Sequence, residues 1–473
     1  VSDFIDVEIE ALDATGDGVA RHGRRVMTVP FTIPGERVRV RPGPVRPGAT
    51  AAVLVAVLRP SPHRVQAACA HFGPGAEGGH TCGGCSWQHI AYSEQLRLKT
   101  DLVTRLVQAV VPSAPPARAM LPTTATKAPW GYRSKVHFLV RGGGREGELL
   151  MGHYARQSRR VVPVRECPVH DERGNALAFG LRDVCQRAGV TSLRSIVVRV
   201  GCTTSETMAT LVASTDADKR LRLASRRVLA GSTAPTSLHV NTHTRDDAFV
   251  FGKDTRHVGG PERLREDVGG VSFLVSPTAF FQTNVRAAEI LVQQVLAAVP
   301  ERATVLDLYA GAGLFALPLA RMGHEVVAIE RNPGAVADGK ASMRLSRLPP
   351  ERCRFIARSV EAAASAIGRR LPAADAVILD PPREGCEASV LNGVFRGRAP
   401  ATAVYVSCDP TSLARDLGRI TSHGYRVRSM QPVDMFPHTP HVETVVVLER
   451  AGSGHEDTTC GQDTKITKER TNE

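Results

Sequence analysis

The chain has 473 residues, 42% hydrophobic and 23% charged, a length that calls for roughly two to four cores rather than one. No apolar run is long enough to cross a bilayer as a helix, which excludes a helical membrane protein and predicts no membrane partner. Sixty basic residues against 47 acidic ones leave a formal charge of +13, which suits a polyanionic partner.

The opening stretch VSDFIDVEIEALDATG is acidic and alternating, so no secretory leader is expected and the predicted compartment is the cytoplasm. Residues 1–60 read as a small all-β barrel. FIDVEIEAL alternates with period two, GDG makes a turn, and RRVMTVPFTIPGERVRVRP and AAVLVAVLRP supply further short strands. Small barrels of this kind present a sheet face and loops to oligonucleotides. Nine arginines fall between Arg21 and Arg64, with Glu36 as the only acid in the interval. That bias favours nucleic-acid contact over a plain solvated face.

Residues 61–270 read as a central α+β domain. A cysteine-bearing loop leads into the helical pattern YSEQLRLKTDLVTRLVQAV, and strand-like runs such as YRSKVHFLV, LLMGHY, SIVVRVG and TMATLVAST follow, with turn signals between them. From 271 to 450 helices and strands alternate: AAEILVQQVLAAV, ATVLDLYAG, HEVVAIER, AVILDPP, TAVYVSCDP, HVETVVVLER. That alternation predicts an α/β fold on a doubly wound, mainly parallel sheet. The polar tail 451–473 lacks periodicity and is expected to be disordered.

Ten cysteines in a chain of this kind argue against a disulfide framework and for metal or catalytic use. Cys69, Cys82 and Cys85 cluster and Cys167 stands apart in RECPVHD. A lone C-x-x-C fits zinc or a redox pair, and His71, His80 and His89 lie nearby; four thiolates with one distant partner also fit a [4Fe–4S] cluster.

In VLDLYAGAGLFALPLA an apolar strand runs into Gly311-Ala312-Gly313, and the next strand ends at Glu330, nineteen residues after Gly311. Small residues let the backbone approach a ligand there, and an acid at that distance can hold both hydroxyls of a ribose. A dinucleotide would need a third glycine that GAGLFA lacks. Asp307 followed by LYAGAG instead resembles the first motif of S-adenosylmethionine-dependent methyltransferases, and LDPPREG places Asp380 at the carboxyl edge of a later strand. Asp307 itself reads as an acid that fixes the turn.

Cys408 ends another strand of the same sheet and so points at the cofactor crevice. The helix starting near Pro410 is expected to favour its thiolate. Methyl transfer to nitrogen or oxygen needs no thiol. Transfer to C5 of a uracil does, because that carbon becomes nucleophilic only after a thiolate adds at C6. The base that then takes the C5 proton should come from DMFPHTPHVE, which offers His438, His441 and Glu443.

Taken together, SCDPTSLARDL, DMFPHTPHVE, FFQTN, DLYAGAG and LDPPREG resemble the RNA (uracil-5-)-methyltransferase family, in family order over about 170 residues. The resemblance implies a class I methyltransferase domain, with Cys408 as nucleophile and Glu443 as general base. It implies Gln282, Tyr309, Glu330 and Asp380 around S-adenosylmethionine. Leu314 stands where the family often has Asn. Members with an N-terminal TRAM barrel share CGGCxxQ, which implies a [4Fe–4S] cluster on Cys69, Cys82, Cys85 and Cys167, with zinc as the alternative. Twelve residues separate Cys69 from Cys82, more than is usual. The expected partner is RNA, with 23S ribosomal RNA ahead of transfer RNA, bound by a monomer. The rival reading is a non-catalytic RNA-binding protein on a methyltransferase scaffold.

Overall fold

The computed structural model describes residues 4–43, 48–75, 81–123, 129–145, 147–245, 247, 249–364, 374–396 and 399–452. Residues 453–473 of the expected tail lie outside these, as does His80.

The alternation in the first sixty residues closes a barrel. Ile5–Leu12, Gly18–His22, Arg25–Val29, Thr50–Arg59 and Arg37–Pro42 follow one another around it. Val7, Ile9, Met27, Val29, Val38 and Val40 fill its interior, as period-two side chains on one face must. The outward residues of the first strand are acids, and they change the reading of the basic segment. Asp6 lies opposite Arg39 in the ladder and pairs with it at 2.8 Å. Arg21 pairs with Glu10, Arg59 with Glu8, and Arg64 with the fully buried Glu36. Arg24, Arg25 and Arg37 have no ion pair with a described residue.

The central sheet has seven strands, in the order Asp254–Gly259, Ser237–Thr242, Thr207–Ala213, Leu193–Val200, Lys135–Gly142, Leu149–Tyr154 and Val161–Pro163. Only the Thr207–Ala213 and Ser237–Thr242 pair is parallel. Helices Glu172–Arg187 and Lys219–Ala230 send Ala178, Leu181, Leu221 and Val228 into its core.

The last sheet also has seven strands: Cys353–Ala357, Glu325–Glu330, Thr304–Leu308, Ala376–Leu379, Thr402–Ser407, Glu443–Arg450 and Tyr425–Val433. The first five run parallel and the last two join antiparallel. Runs such as AVIL and TAVYVS are apolar almost throughout because both faces of a parallel sheet are covered. Strand order reverses on either side of Thr304–Leu308, and such a switch point opens a crevice at the carboxyl ends.

Two elements that begin upstream of residue 271 pack into this layer. Helix Tyr92–Val110 buries Val103 and Val107 beside Leu413 and Leu417 of helix Pro410–Thr421. The hairpin Leu264–Val268 and Val271–Val275 sends Val268, Val271 and Phe273 into the core on the opposite face. Gly269 and Gly270, both at positive φ, make its two-residue turn.

Candidate active site and cysteine cavity

Strand Thr402–Ser407 delivers Cys408, half-buried, to the carboxyl edge of the sheet. Asp409 caps the helix that follows. Its Oδ1 accepts from the backbone N–H groups of Thr411 and Ser412, both at 2.9 Å, and Pro410 opens the first turn. The expectation that the helix start favours a thiolate is therefore corrected: a carboxylate already takes those amides. Burial, then the charges of Glu443 and Asp380, push the Cys408 thiol up to about 12, and Arg383 pulls the other way.

The antiparallel ladder brings Glu443 to the same place. Ser407 pairs with Thr444, so Cys408 and Glu443 are the next residues outward on adjacent strands. Glu443 is 5% exposed. Burial, reinforced by Asp380, holds its carboxyl well above the usual range, and Arg383 opposes that. Asp380 follows strand Ala376–Leu379, and burial raises its carboxyl to about 7.

Tyr309 leaves strand Thr304–Leu308, the first of this sheet in the chain, at a φ of 63° and Gly311 follows at 56°. A Cβ at Gly311 would meet nothing within 4 Å, so the turn opens onto free space. Glu330 is fixed beside it, with Oε2 accepting from Gly311 N–H at 3.0 Å and Oε1 from Asn332 N–H at 2.7 Å. Tyr309 Oη donates to Glu361 at 3.0 Å. Asp307 is fully buried, and the backbone N–H of Ala316, at the start of the helix after the glycine turn, is the hydrogen-bond donor that acts on its carboxyl. Burial first, with Asp380 and Glu330 among the further causes, raises it well above the ordinary range. Acids clustered around an open glycine turn suit a ligand that brings positive charge and hydroxyl groups, as S-adenosylmethionine does.

Gln282 is buried, 8% exposed, just before Asn284. Asn284 caps helix Val285–Ala298, and its Nδ2 donates to Thr123 Oγ1 at 3.0 Å and to Met435 O at 2.9 Å. Those bonds tie the FFQTN segment to the loop that carries Glu443. His438 belongs to that loop's scaffold. At a φ of 64° it stacks on Trp130 with ring centroids 3.9 Å apart, and its carbonyl accepts from Ser86 and Trp87 N–H at 3.0 Å. Gln95 closes the clamp by accepting from His438 N–H at 2.9 Å. Burial lowers both His438 and His441 to about 4.

Ser86 and Trp87 directly follow the C-x-x-C, so the cysteine segment is pinned to the catalytic loop. Cys69, Cys82, Cys85 and Cys167 line one cavity of about 270 Å³. Burial is the main cause that pushes Cys85 up to about 11 and Cys167 to about 12, and neighbouring thiols add to it. Four thiols converging on one cavity fit a thiophilic centre. Of the histidines noted in the sequence, His71 lines the cavity; His89 does not, and instead stacks on Phe72. The wall is completed by Arg133, His153 and His170, which sequence reasoning missed. The one available signal was His170 three residues after Cys167. Arg383, inside the quoted LDPPREG, was likewise not singled out.

The strand order, the glycine turn after the first strand and the acids at the following strand ends define a class I S-adenosylmethionine-dependent methyltransferase. The sequence matches the model of the tRNA (uracil-5-)-methyltransferase family over residues 146–451, and that of the TRAM domain of tRNA (uracil(54)-C(5))-methyltransferase over 5–63. An uncharacterized RNA methyltransferase of Gloeobacter violaceus is 35% identical over 459 residues, covering 94% of this chain and 96% of its own. One from Halalkalibacterium halodurans is 30% identical, covering 95% and 97%. The structure of Pyrococcus abyssi tRNA (uracil-54, C5)-methyltransferase in complex with S-adenosyl-L-homocysteine superposes with a TM-score of 0.73 at 25% identity, over 94% of this chain and 100% of that one. The chain belongs to the tRNA (uracil-5-)-methyltransferase family and is an S-adenosylmethionine-dependent enzyme acting on RNA. Membership sets aside the non-catalytic alternative. No helix among the described residues is long and apolar enough to cross a membrane.

Proposed function

We propose that the enzyme methylates C5 of a uridine in 23S ribosomal RNA through a covalent bond between Cys408 Sγ and C6. The observation that carries this reading is the meeting of Cys408 and Glu443 at one sheet edge, beside Asp380. S-adenosylmethionine supplies an electrophilic methyl group when bound; Gln282, Tyr309, Glu330 and Asp380 are the residues that would hold it. Cys408 loses its proton to solvent and adds to C6, and the electron pair moves to C5 and O4. C5 takes the methyl group, Glu443 as carboxylate removes the C5 proton, and the returning electron pair expels Cys408. The uridine must leave its stack to reach so recessed a thiol. Arg24, Arg25 and Arg37 are the barrel residues assigned to phosphate contact.

Transfer RNA is the second reading, favoured by the substrate that the matched family and the Pyrococcus enzyme carry in their names. Mapping 5-methyluridine in ribosomal and transfer RNA from a deletion strain separates the two. For the chemistry, RNA carrying 5-fluorouridine at the target, with S-adenosylmethionine, gives a denaturation-stable adduct. Its persistence in Cys408→Ala defeats the mechanism.

The division of labour proposed is a barrel over 1–60 for RNA, a central domain over 61–270 with the cysteine centre, and a catalytic domain over 271–450. The enzyme acts as a cytoplasmic monomer. Cys69, Cys82, Cys85 and Cys167 hold a [4Fe–4S] cluster, so anaerobically purified protein is brown, with iron and sulfide in equal amounts. Colourless protein with stoichiometric zinc defeats that assignment.

A further inference from the structure

The four-cysteine cavity has a wall that a cluster on those thiols leaves unused. His153 on strand Leu149–Tyr154 and His170 just before helix Glu172–Arg187 both line it. One nitrogen of His153, one of His170 and the sulfur of Cys167 all lie within 4.8 Å of one another. Among the described residues, no other set of three His, Cys, Asp or Glu side chains brings its ligand atoms so close. His170 is 3% exposed. Asn175 is a side-chain hydrogen-bond partner of His170, but the Nε2 of His153 is buried without one, and an orphaned buried nitrogen is costly unless something fills the gap. The two rings are held edge to face at 5.3 Å and both pack on Phe138, so the core and their mutual contact fix their positions.

Spacing separates two kinds of centre. Bonds of about 2.0–2.3 Å to one tetrahedral ion put its ligand atoms about 3.3–3.8 Å apart, a small closure from what this trio shows. A cluster holds its thiolates farther apart, and the four cysteines do not form a set as tight as the trio. We propose that His153, Cys167 and His170 are a second ligand set, for a single divalent transition-metal ion, overlapping the four-cysteine set at Cys167. Because Cys167 belongs to both sets within one cavity, the two occupancies compete for its thiolate. Cluster-free protein captures the ion, and the ion in turn blocks cluster assembly. Zinc or cobalt is the expected class, given two imidazoles and one thiolate with a position left for water.

The test uses the full-length protein, stripped of iron and sulfide by anaerobic chelation and titrated with Co²⁺. The expected result is one equivalent bound, with tetrahedral ligand-field bands and charge-transfer absorption of a single thiolate. That readout needs no variant. His153→Ala and His170→Ala each lower the affinity by more than the roughly 10- to 100-fold that loss of a second-sphere partner costs, while Cys69→Ser and Cys82→Ser leave it unchanged. Charge-transfer intensity of three or four thiolates, loss of the ion in Cys82→Ser with retention in both histidine variants, or no ion bound would each overturn the proposal. The inference rests on the cysteine-centre reading only for the competition. Iron and sulfide are assayed before chelation, so their absence sinks the cluster and leaves the single-ion site to stand or fall on the cobalt spectrum.

Discussion

Cys408 follows a strand of the last sheet and Cys167 lies between a strand of the central sheet and the helix packed on it, and burial pushes both thiols up to about 12. Their neighbours are opposite in kind. Cys408 faces two carboxyl groups, Glu443 and Asp380, with Arg383 as the opposing cation. Cys167 faces further thiols, one ring nitrogen each of His153 and His170, and Arg133. A thiol among carboxylates is kept protonated until positive charge arrives, and its reactivity is then tied to ligand binding. A thiol among soft ligands is kept for a metal. The raised pKa they share therefore says nothing about role; the second ring of residues does.

The largest effect expected from this contrast is at the nucleophile. Cys408→Ala should lower methylation by at least ~10⁴-fold, the scale on which removing a nucleophile acts, and leave iron content unchanged. Cys167→Ser should do the converse, losing the iron and keeping measurable turnover. Tritiated methyl transfer beside iron analysis checks both. If Cys167→Ser proves as inactive as Cys408→Ala while still folded, the two regions are not separable, and the hydrogen bonds from Ser86 and Trp87 to His438 are where coupling would run.

Glu443→Gln comes next, with a loss of about 10²–10⁴-fold in turnover, the usual reach of a general base. It should differ from Cys408→Ala in what accumulates. The amide cannot take the C5 proton, so methylated RNA stays joined to Cys408, and the protein runs as a slower band that carries the methyl label. Turnover at the parental rate would remove Glu443 from that role.

The placement of Cys408 was legible because its signals are local: an apolar run, a stop, then Asp-Pro at a helix start. What Asp409 does to the helix amides was not, since a cap and a nearby thiol compete for the same N–H groups and only geometry shows which takes them. The barrel makes the same point. Acids at 6, 8 and 10 and arginines at 37, 39 and 41 both alternate in the sequence, yet only the register sets Asp6 against Arg39. His153 and His170 escaped for a related reason. A histidine in a strand carries no sign of which cavity its ring closes, and His153 lies far along the chain from Cys69, Cys82 and Cys85. Asp307 could be seen as an acid at the right place, but its complete burial depends on the neighbouring strands that pair with its own.

A third, smaller effect reads the carboxylate surroundings of Cys408 directly. Without RNA or cofactor, alkylation of Cys408 by iodoacetamide should be slow at pH 8, since a thiol raised to about 12 is almost wholly protonated there. Glu443→Gln removes a carboxylate that raises it and should speed the reaction by about threefold to tenfold, each pKa unit being worth tenfold in thiolate. A rate unchanged in Glu443→Gln, with peptide mapping locating the label at Cys408, would mean that Glu443 does not raise the thiol and that burial and Asp380 do.

The smallest effect is on stability, and its sign follows from Asp380. Burial raises this carboxyl from 3.8 to about 7 in the folded chain. Well below its ordinary value of 3.8 the folded and unfolded forms are both protonated, and the group is neutral in its effect on stability. As pH rises the unfolded chain releases the proton first, so folding is progressively penalised until the folded form has also ionised, just above pH 7. Asp380→Asn keeps the shape without the proton equilibrium. It should therefore raise the melting temperature only slightly near pH 4, where the unfolded acid is about half ionised, and by about 2 °C or more at pH 8, where about 1 kcal/mol corresponds to a few degrees. Cys408→Ala, which removes a thiol still protonated at pH 8, should show no such rise between the two pH values. Thermal unfolding of the two variants side by side separates an acid strained by burial from a thiol that merely stays neutral. Equal gains at pH 4 and pH 8 in Asp380→Asn would instead assign its effect to packing.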